Sequence, residues 1–215
     1  MPKNCPFIVV TICLMASELA LSRPVSYPGG WTSIVNNNSR ENALYVHYSP
    51  TAKYSIGYRA EYKREREFVA HTLQLNNLVK RWNGPAFQAN LYLQSGIGVG
   101  YGDNGLLDNQ IEPVVFSGIA TDWENRRWFF SYQNRYTDAG EFGDFFNQNA
   151  RIGLAPYIGE YGDLHTWLML DVDHSPESSD SVSVTPLIRF LKGANLIEAG
   201  LNTDGKILFN WVRRY

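Results

Sequence analysis

Residues 87–101 read FQANLYLQSGIGVGY, and this stretch decides the predicted fold. Successive side chains of an extended chain point to opposite faces. One face of the stretch includes Leu91, Leu93, Ile97 and Val99, whereas the other is mostly Gln, Asn and Gly. Such alternation predicts a β-strand with one apolar and one polar face. The length suits a strand that crosses a bilayer at a tilt, which needs about 9–11 residues.

The same alternation recurs along the chain. In residues 54–63, Tyr54, Ile56 and Tyr58 share one face, while Ser55 and Arg59 lie on the other. Twelve segments are candidate strands: 31–36, 43–49, 54–63, 68–80, 86–101, 113–121, 127–136, 149–156, 165–174, 182–190, 196–202 and 206–215. We therefore predict an all-β protein, an antiparallel up-and-down transmembrane β-barrel of twelve strands. Ten strands is the alternative, because 31–36 has the weakest pattern and bacterial barrels have an even number of strands.

The alternation of apolar and polar side chains with a period of two residues occurs in membrane and soluble barrels alike, so it does not distinguish them. A soluble periplasmic β-barrel that binds an apolar ligand would turn its apolar faces inward. The membrane barrel is favoured by the long strands, by aromatic residues at the ends of apolar faces, and by small residues on the polar face. Short connections at 50–53, 81–85, 122–126 and 191–195 alternate with longer polar loops at 102–112, 137–148 and 175–181. Periplasmic turns and external loops of membrane barrels differ in this way.

The N-terminus has the pattern of a secretory signal. Lys3 precedes an apolar run, FIVVTICLM at 7–15, which is too short to span a bilayer as a helix. We place cleavage after Ser22, so that residues 1–22 form the signal peptide and 23–215 a single barrel domain. Cys5 and Cys13 then lie in the signal, and the mature chain has no cysteine. The expected location is the outer membrane of a Gram-negative bacterium.

Composition excludes other classes of protein. No second apolar stretch approaches the length of a transmembrane helix, so a helical membrane protein is excluded. The formal net charge is −2, which gives no sign of a nucleic-acid partner. Nothing in the sequence calls for a cofactor.

The last ten residues, KILFNWVRRY, place Ile207, Phe209, Trp211 and Tyr215 on one face. This resembles the terminal signal of outer-membrane barrels, and it implies that the barrel-insertion machinery and outer-membrane lipids are partners. Arg213 departs from that pattern, since an apolar residue is usual there. HYSPTAKYSIGYR, NLVKRWN, ANLYLQSGIGVGYGD, APYIGEYGDLHTWLML and LFNW together resemble a family of uncharacterised proteobacterial envelope proteins. That resemblance implies an envelope location and transfers no functional residue.

His47 and Ser49 are the candidate catalytic pair. Residues two apart on a strand share a face, so an imidazole there can activate a hydroxyl. The pair resembles the His-x-Ser motif of outer-membrane lipid A deacylases, which implies a lipid hydrolase as an alternative function. In that family an Asn follows the serine of the motif, whereas Pro50 follows Ser49 here. A polar strand end that leads into a turn explains the same residues without catalysis.

Two further patterns are weighed against ordinary structural roles. Asp171 and Asp173 share a face near a loop, but His174 points to the other, so convergent metal ligands are not predicted. Gly96, Gly98 and Gly100 alternate along a strand with no helix start behind them, so they do not form a phosphate loop.

Charges on the polar faces form the candidate functional set. The predicted lumen-lining residues are Arg59, Glu61, Lys63, Lys80, Arg127, Arg135, Arg151, Asp171, Asp173, Arg189 and Glu198. One interpretation is a porin-like, narrow solute channel whose basic excess favours anions. The other is a closed structural barrel filled with mutually neutralising ion pairs. Both remain open at this point.

Overall fold

The computed structural model describes residues 23–102, 107–160 and 162–215. The predicted signal peptide, 1–22, lies outside the described residues. Twelve strands follow in chain order: β1 (Gly30–Asn37), β2 (Glu41–Thr51), β3 (Tyr54–Lys63), β4 (Phe68–Asn83), β5 (Phe87–Gly102), β6 (Ile111–Asn125), β7 (Trp128–Asp138), β8 (Asp144–Leu154), β9 (His165–His174), β10 (Val182–Lys192), β11 (Asn195–Leu201) and β12 (Ile207–Arg214). A 3-10 turn, Gly140–Phe142, precedes β8. Within the described ranges, no helix is long and apolar enough to cross a membrane.

The strands form one closed antiparallel barrel. Each strand pairs with its neighbours in sequence, and β1 pairs with β12. At the seam, the backbone N–H groups of Trp31 and Tyr215 each donate to the carbonyl oxygen of the other, at 3.0 Å. Arg213 places its guanidinium 5.5 Å from the centre of the Tyr215 ring, so its charge lies beside the terminal aromatic. The predicted fold class is confirmed with twelve strands, not ten.

The apolar faces point outward. Tyr58, Ile97 and Phe130 are 45%, 64% and 41% exposed, whereas Glu61 and Asn76 are buried inside the barrel. The alternative of a soluble barrel with an apolar interior is therefore wrong, because the apolar and polar faces have the opposite placement. Polar side chains fill the middle of the lumen, and apolar clusters lie towards its two ends.

The two ends of the barrel differ in their connections. We call one the turn end; its connections are 52–53, 84–86, 126–127, 155–164 and 193–194. We call the other the loop end; its connections are 38–40, 64–67, 103–110, 139–143, 175–181 and 202–206. The loop after β7 is shorter than predicted, because Asp144–Gln148 continue the pairing of β8 with β7. These residues do not alternate between apolar and polar side chains, so the sequence predicted a loop. Backbone hydrogen bonds between strands form without such alternation.

The glycines of β5 permit close strand packing. A Cβ atom on Gly98 would lie 1.9 Å from the carbonyl oxygen of His71 on β4, and one on Gly96 would lie 2.2 Å from the Phe116 ring. The inner face of β5 therefore has no room for side chains at these positions, and the glycines have a packing role.

Candidate functional site

The candidate site is a polar cavity inside the barrel. It has a volume of about 270 Å³ and extends from Asn38 and Lys206 at the loop end to Arg23 and Tyr92 deeper in the lumen. Lys206 is exposed, so the cavity communicates with solvent at the loop end.

The first ion cluster is centred on Glu61. Its carboxylate accepts from Arg135 Nη1 at 3.0 Å, lies 2.8 Å from Arg59 Nη2, and accepts from Lys63 Nζ at 3.2 Å. Glu41 on β2 also pairs with Arg59 and Lys63. Because β3 and β7 are not neighbours in the sheet, the pair of Glu61 with Arg135 spans the lumen.

The second ion cluster lies on the opposite wall. Arg151 pairs with Asp171 and, at 2.9 Å, with Glu198, and Arg189 Nε donates to Glu198 at 2.6 Å. Asn210 also donates to Glu198, at 2.7 Å. The cluster joins five consecutive strands, β8 to β12, and each buried carboxylate in it has a cationic partner, as buried charges require.

The loop-end mouth has its own polar contacts. Arg40 pairs with Asp173, and its Nη2 donates to the carbonyl oxygen of Asp180 at 2.7 Å, so the β1–β2 loop is joined to the β9–β10 loop. The backbone N–H of Ser179 donates to Glu65 at 2.8 Å, which lowers the pKa of that exposed carboxyl. These contacts narrow the mouth of the cavity.

Two predicted lining residues lie elsewhere, and both expectations are corrected. A β-bulge between Leu78 and Lys80 inserts one unpaired residue and reverses the alternation of β4. Lys80 therefore lies on the outer face, with Nζ 5.2 Å from the centre of the Trp82 ring. Arg127 is exposed in the β6–β7 turn at 126–127, beyond the end of the lumen.

The structure also places acidic residues in the lumen that were missing from the predicted set. Glu41 precedes the predicted start of its strand, and Asp122 and Glu124 follow the predicted end of theirs. Continuing the alternation by two residues before the predicted start of β2 and by three residues after the predicted end of β6 would have found them. The described luminal charges are nearly balanced: Arg23, Arg40, Arg59, Lys63, Arg81, Arg135, Arg151, Arg189 and Arg214 against Glu41, Glu61, Glu112, Asp122, Glu124, Asp171, Asp173 and Glu198.

Residues 23–26, here called the inner segment, lie inside the turn end of the barrel. The Pro24 carbonyl oxygen accepts from Ser55 Oγ at 2.6 Å and from Asn76 Nδ2 at 3.2 Å. Arg23 pairs with Glu124 on β6. A chain segment with fixed partners on β3, β4 and β6 therefore occupies this part of the lumen.

Apolar packing and one further hydrogen bond complete the seat of the inner segment. Val25 is 2% exposed and packs against Tyr92, Ala120 and Leu78. The backbone N–H of Ser26 donates to Ser49 Oγ at 2.9 Å.

The rest of the turn end is closed by side chains of the wall. Two apolar clusters fill it on the side of β7 to β12, β1 and β2. Phe129, Ala155, Trp167, Met169, Leu187 and Leu208 form one, and Ile34, Tyr45, Leu191, Leu196 and Val212 form the other. The wall beneath the inner segment is mixed: Leu78, Tyr92 and Ala120 contact Val25, and Ser55, Asn76 and Glu124 supply polar contacts. The inner segment therefore covers the most hydrophilic part of this end.

The candidate catalytic residues are not arranged as a nucleophile and base. His47 and Ser49 are both fully buried on the inner face of β2. Ser49 Oγ accepts from the backbone of Ser26, and neither ring nitrogen of His47 has a hydrogen-bond partner among the described residues. The His47 ring packs edge-on against Tyr45, with ring centres 4.8 Å apart. This geometry does not activate the serine hydroxyl.

The acidic and histidine residues of β9 have separate partners. Asp171 accepts from Asn149 and Arg151, Asp173 pairs with Arg40, and His174 Nδ1 is 2.7 Å from Gln148 Nε2. Within the described parts of the chain, no group of three or more metal-ligating side chains is assembled.

Comparison with known proteins gives little beyond the fold. No family model and no curated protein sequence matches the chain. A crystal structure of Acinetobacter baumannii OccAB4 is similar, with 12% sequence identity and a TM-score of 0.40 over 86% of this chain. The chain spans 57% of that protein's length. A likeness at this level carries no inference about activity or partners, so the functional argument depends on the lumen and the outer surface.

Proposed function

We propose that this protein is an outer-membrane barrel that forms a narrow channel for small polar solutes, closed in the described conformation by the inner segment. One observation carries the proposal: the polar lumen is continuous from the loop end to a hydrophilic wall that the inner segment covers. The segment contacts this wall through a few polar contacts and one apolar side chain, so its departure would open a hydrophilic path.

The outer surface supports placement in the outer membrane. Burying an apolar side chain is worth about 1.5–3 kcal/mol, so a closed ring of exposed Leu, Ile, Val and Phe is unfavourable in water. A closed barrel satisfies every backbone group without water, which is what a bilayer requires. With cleavage after Ser22, Arg23 becomes the first residue of the mature chain, and its pair with Glu124 anchors that end in the lumen.

We expect the mature protein to fractionate with outer membranes and to resist extraction by salt. Its mobility on a denaturing gel should change on boiling, because a closed barrel keeps its compact form in detergent until it is heated. Recovery as a soluble periplasmic protein would contradict the membrane placement.

The balanced luminal charge bears on selectivity. The expected anion preference rested on a count of predicted lumen-lining charges in which basic residues were in excess. That count included Lys80 and Arg127, which lie outside the lumen, and it omitted Glu41, Asp122 and Glu124. We therefore do not propose an anion channel. The ion pair that joins β3 to β7 instead narrows the lumen, which limits passage to small solutes.

A closed structural barrel is the second candidate. The observation that favours it is that the second ion cluster pairs two arginines with two carboxylates and the first pairs three cations with two carboxylates, so little luminal charge is left for a permeating ion to balance. It predicts no conductance even after the inner segment is displaced.

Conductance in planar bilayers separates the two candidates. We expect the wild-type protein to be mostly closed and the Arg23→Ala/Val25→Asp variant to open far more often, because an unpaired carboxylate beside Tyr92 and Ala120 expels the segment. Pro28→Ala is the control, since Pro28 is exposed outside the lumen and should leave gating unchanged. Silent bilayers from a variant that still shows heat-dependent gel mobility would reject the channel and support the structural barrel.

A further inference from the structure

The outer surface carries an apolar groove of about 430 Å³ over strands β5 to β9. Ala89, Thr121 and Ala150 form its floor, and Trp123, Phe130 and Leu170 belong to its walls. The register explains the depression, because Ala89 lies opposite Trp123, and both Thr121 and Ala150 lie opposite Tyr132. Small side chains thus alternate with large rings on one face. We call this feature the outer groove.

The outer groove begins at an aromatic band near the turn end. The Trp123 and Phe130 ring centres are 5.6 Å apart, and Phe87 and Trp128 extend the row with ring centres 6.0 Å from Trp123 and 6.3 Å from Phe130, respectively. Such bands mark the level of the lipid headgroups in membrane barrels. The groove therefore starts at the level of the lipid headgroups and extends towards the middle of the bilayer. Acyl chains occupy this region of a bilayer.

Two arginines lie in the turn next to the groove, and their guanidinium groups are 3.5 Å from carbonyl oxygens of the β8–β9 connection, those of Gly159 for Arg126 and Pro156 for Arg127. Arg126 and Arg127 form the turn that connects β6 to β7, the strands that carry Trp123 and Phe130. Both arginines are exposed. The carboxylate nearest Arg126 is that of Glu160, at 3.9 Å, and both of these side chains are well exposed, so this pair is weak. Guanidinium groups bind phosphate oxygens through two parallel hydrogen bonds.

The whole turn end shares this basic character. Its other exposed charges are Lys53, Lys192 and Arg213 against Glu160 and Asp163. The loop end is acidic by contrast, with Glu65, Glu67, Asp108, Asp138, Glu141, Asp144, Glu177, Asp180 and Asp204 exposed there against Arg64 and Lys206. Charge complementarity thus favours an anionic headgroup at the turn end.

We propose that the outer groove and the Arg126–Arg127 turn form a binding site for one anionic phospholipid. An acyl chain lies in the groove over Ala89 and Ala150, and the phosphodiester lies against the two guanidinium groups. This inference rests on the proposed membrane placement and is independent of whether the lumen conducts.

The test uses the full mature chain reconstituted in phosphatidylcholine nanodiscs. Small fractions of brominated phosphatidylglycerol or brominated phosphatidylcholine quench nearby tryptophans, and subtraction of a Trp123→Phe variant isolates the signal from the groove. We expect the wild-type protein to prefer brominated phosphatidylglycerol by about five- to thirtyfold, as one or two basic residues near an anionic headgroup provide. Arg126→Gln/Arg127→Gln should remove the preference. Ala150→Phe should reduce Trp123 quenching by filling the groove without adding a tryptophan.

Lys53→Gln/Lys192→Gln is the matched control, because it removes two positive charges from the turn end away from the groove. If this variant loses the preference as strongly as the arginine variant, the effect is a general surface potential and the site is rejected. Equal quenching by the two lipids in the wild-type protein also rejects it. A native mass spectrum that shows a dimer dissociated by Ala150→Phe would assign the groove to contact between barrels instead. Failure to insert into the nanodisc would overturn the membrane placement itself, whereas insertion without lipid preference overturns only this inference.

Discussion

Replacing Glu61 by glutamine should lower the free energy of unfolding by about 3–5 kcal/mol, the usual cost of removing one partner from a buried ion pair. The Glu61 carboxylate is fully buried and lies within 3.2 Å of Arg59, Lys63 and Arg135. Without it, three cations face one another, with only Glu41 to offset them. Reversible urea unfolding in phosphatidylcholine vesicles, followed by tryptophan fluorescence, measures the change.

Two further variants show whether the loss comes from the ion cluster. Glu141→Gln is the matched control, because Glu141 is exposed at the loop end and should have almost no effect. The double variant Glu61→Gln/Arg135→Gln should be less destabilised than the sum of the single variants, since it removes one of the stranded cations together with the carboxylate. Simple additivity would contradict the proposed coupling across the lumen.

Leu93→Arg should impair insertion by about 2–4 kcal/mol, the cost of a lipid-facing arginine near the bilayer midplane. Leu93 is 43% exposed on the outer face, and it lies about midway along β5 between Phe87 and Tyr101. The measurement is the folded fraction on urea titration into lipid vesicles, read from heat-dependent gel mobility.

Gln94→Arg places the same charge one residue away on the opposite face. Gln94 lines the cavity and donates to Asn76 at 3.2 Å, so an arginine there reaches a polar environment. We expect this variant to insert nearly as well as the wild-type protein. Equal impairment by both substitutions would show that the two faces of β5 do not differ as the structure indicates.

Strand β4 shows where pattern reasoning succeeds and where it stops. Its alternation from Phe68 to Leu78 assigned the inner face correctly, because neighbouring side chains of a strand must point to opposite sides. The bulge before Lys80 then reversed the faces. A bulge depends on the pairing with β5, and nothing in the residues of β4 announces it. The same limit applies to the ends of β2 and β6, where backbone pairing extends the strands through Glu41 and Glu124.

The sequence by itself determined the class of fold, the order of the strands and the direction of most side chains. These follow from a local period of two, together with a terminal strand whose aromatic residue lies at the seam with β1. Only the tertiary structure decided which charges neutralise each other and what fills the lumen. Arg135 and Glu61 are 74 residues apart in the chain, and Arg23 and Glu124 are 101 apart. Such pairs depend on the register and closure of the whole barrel, which no local pattern encodes.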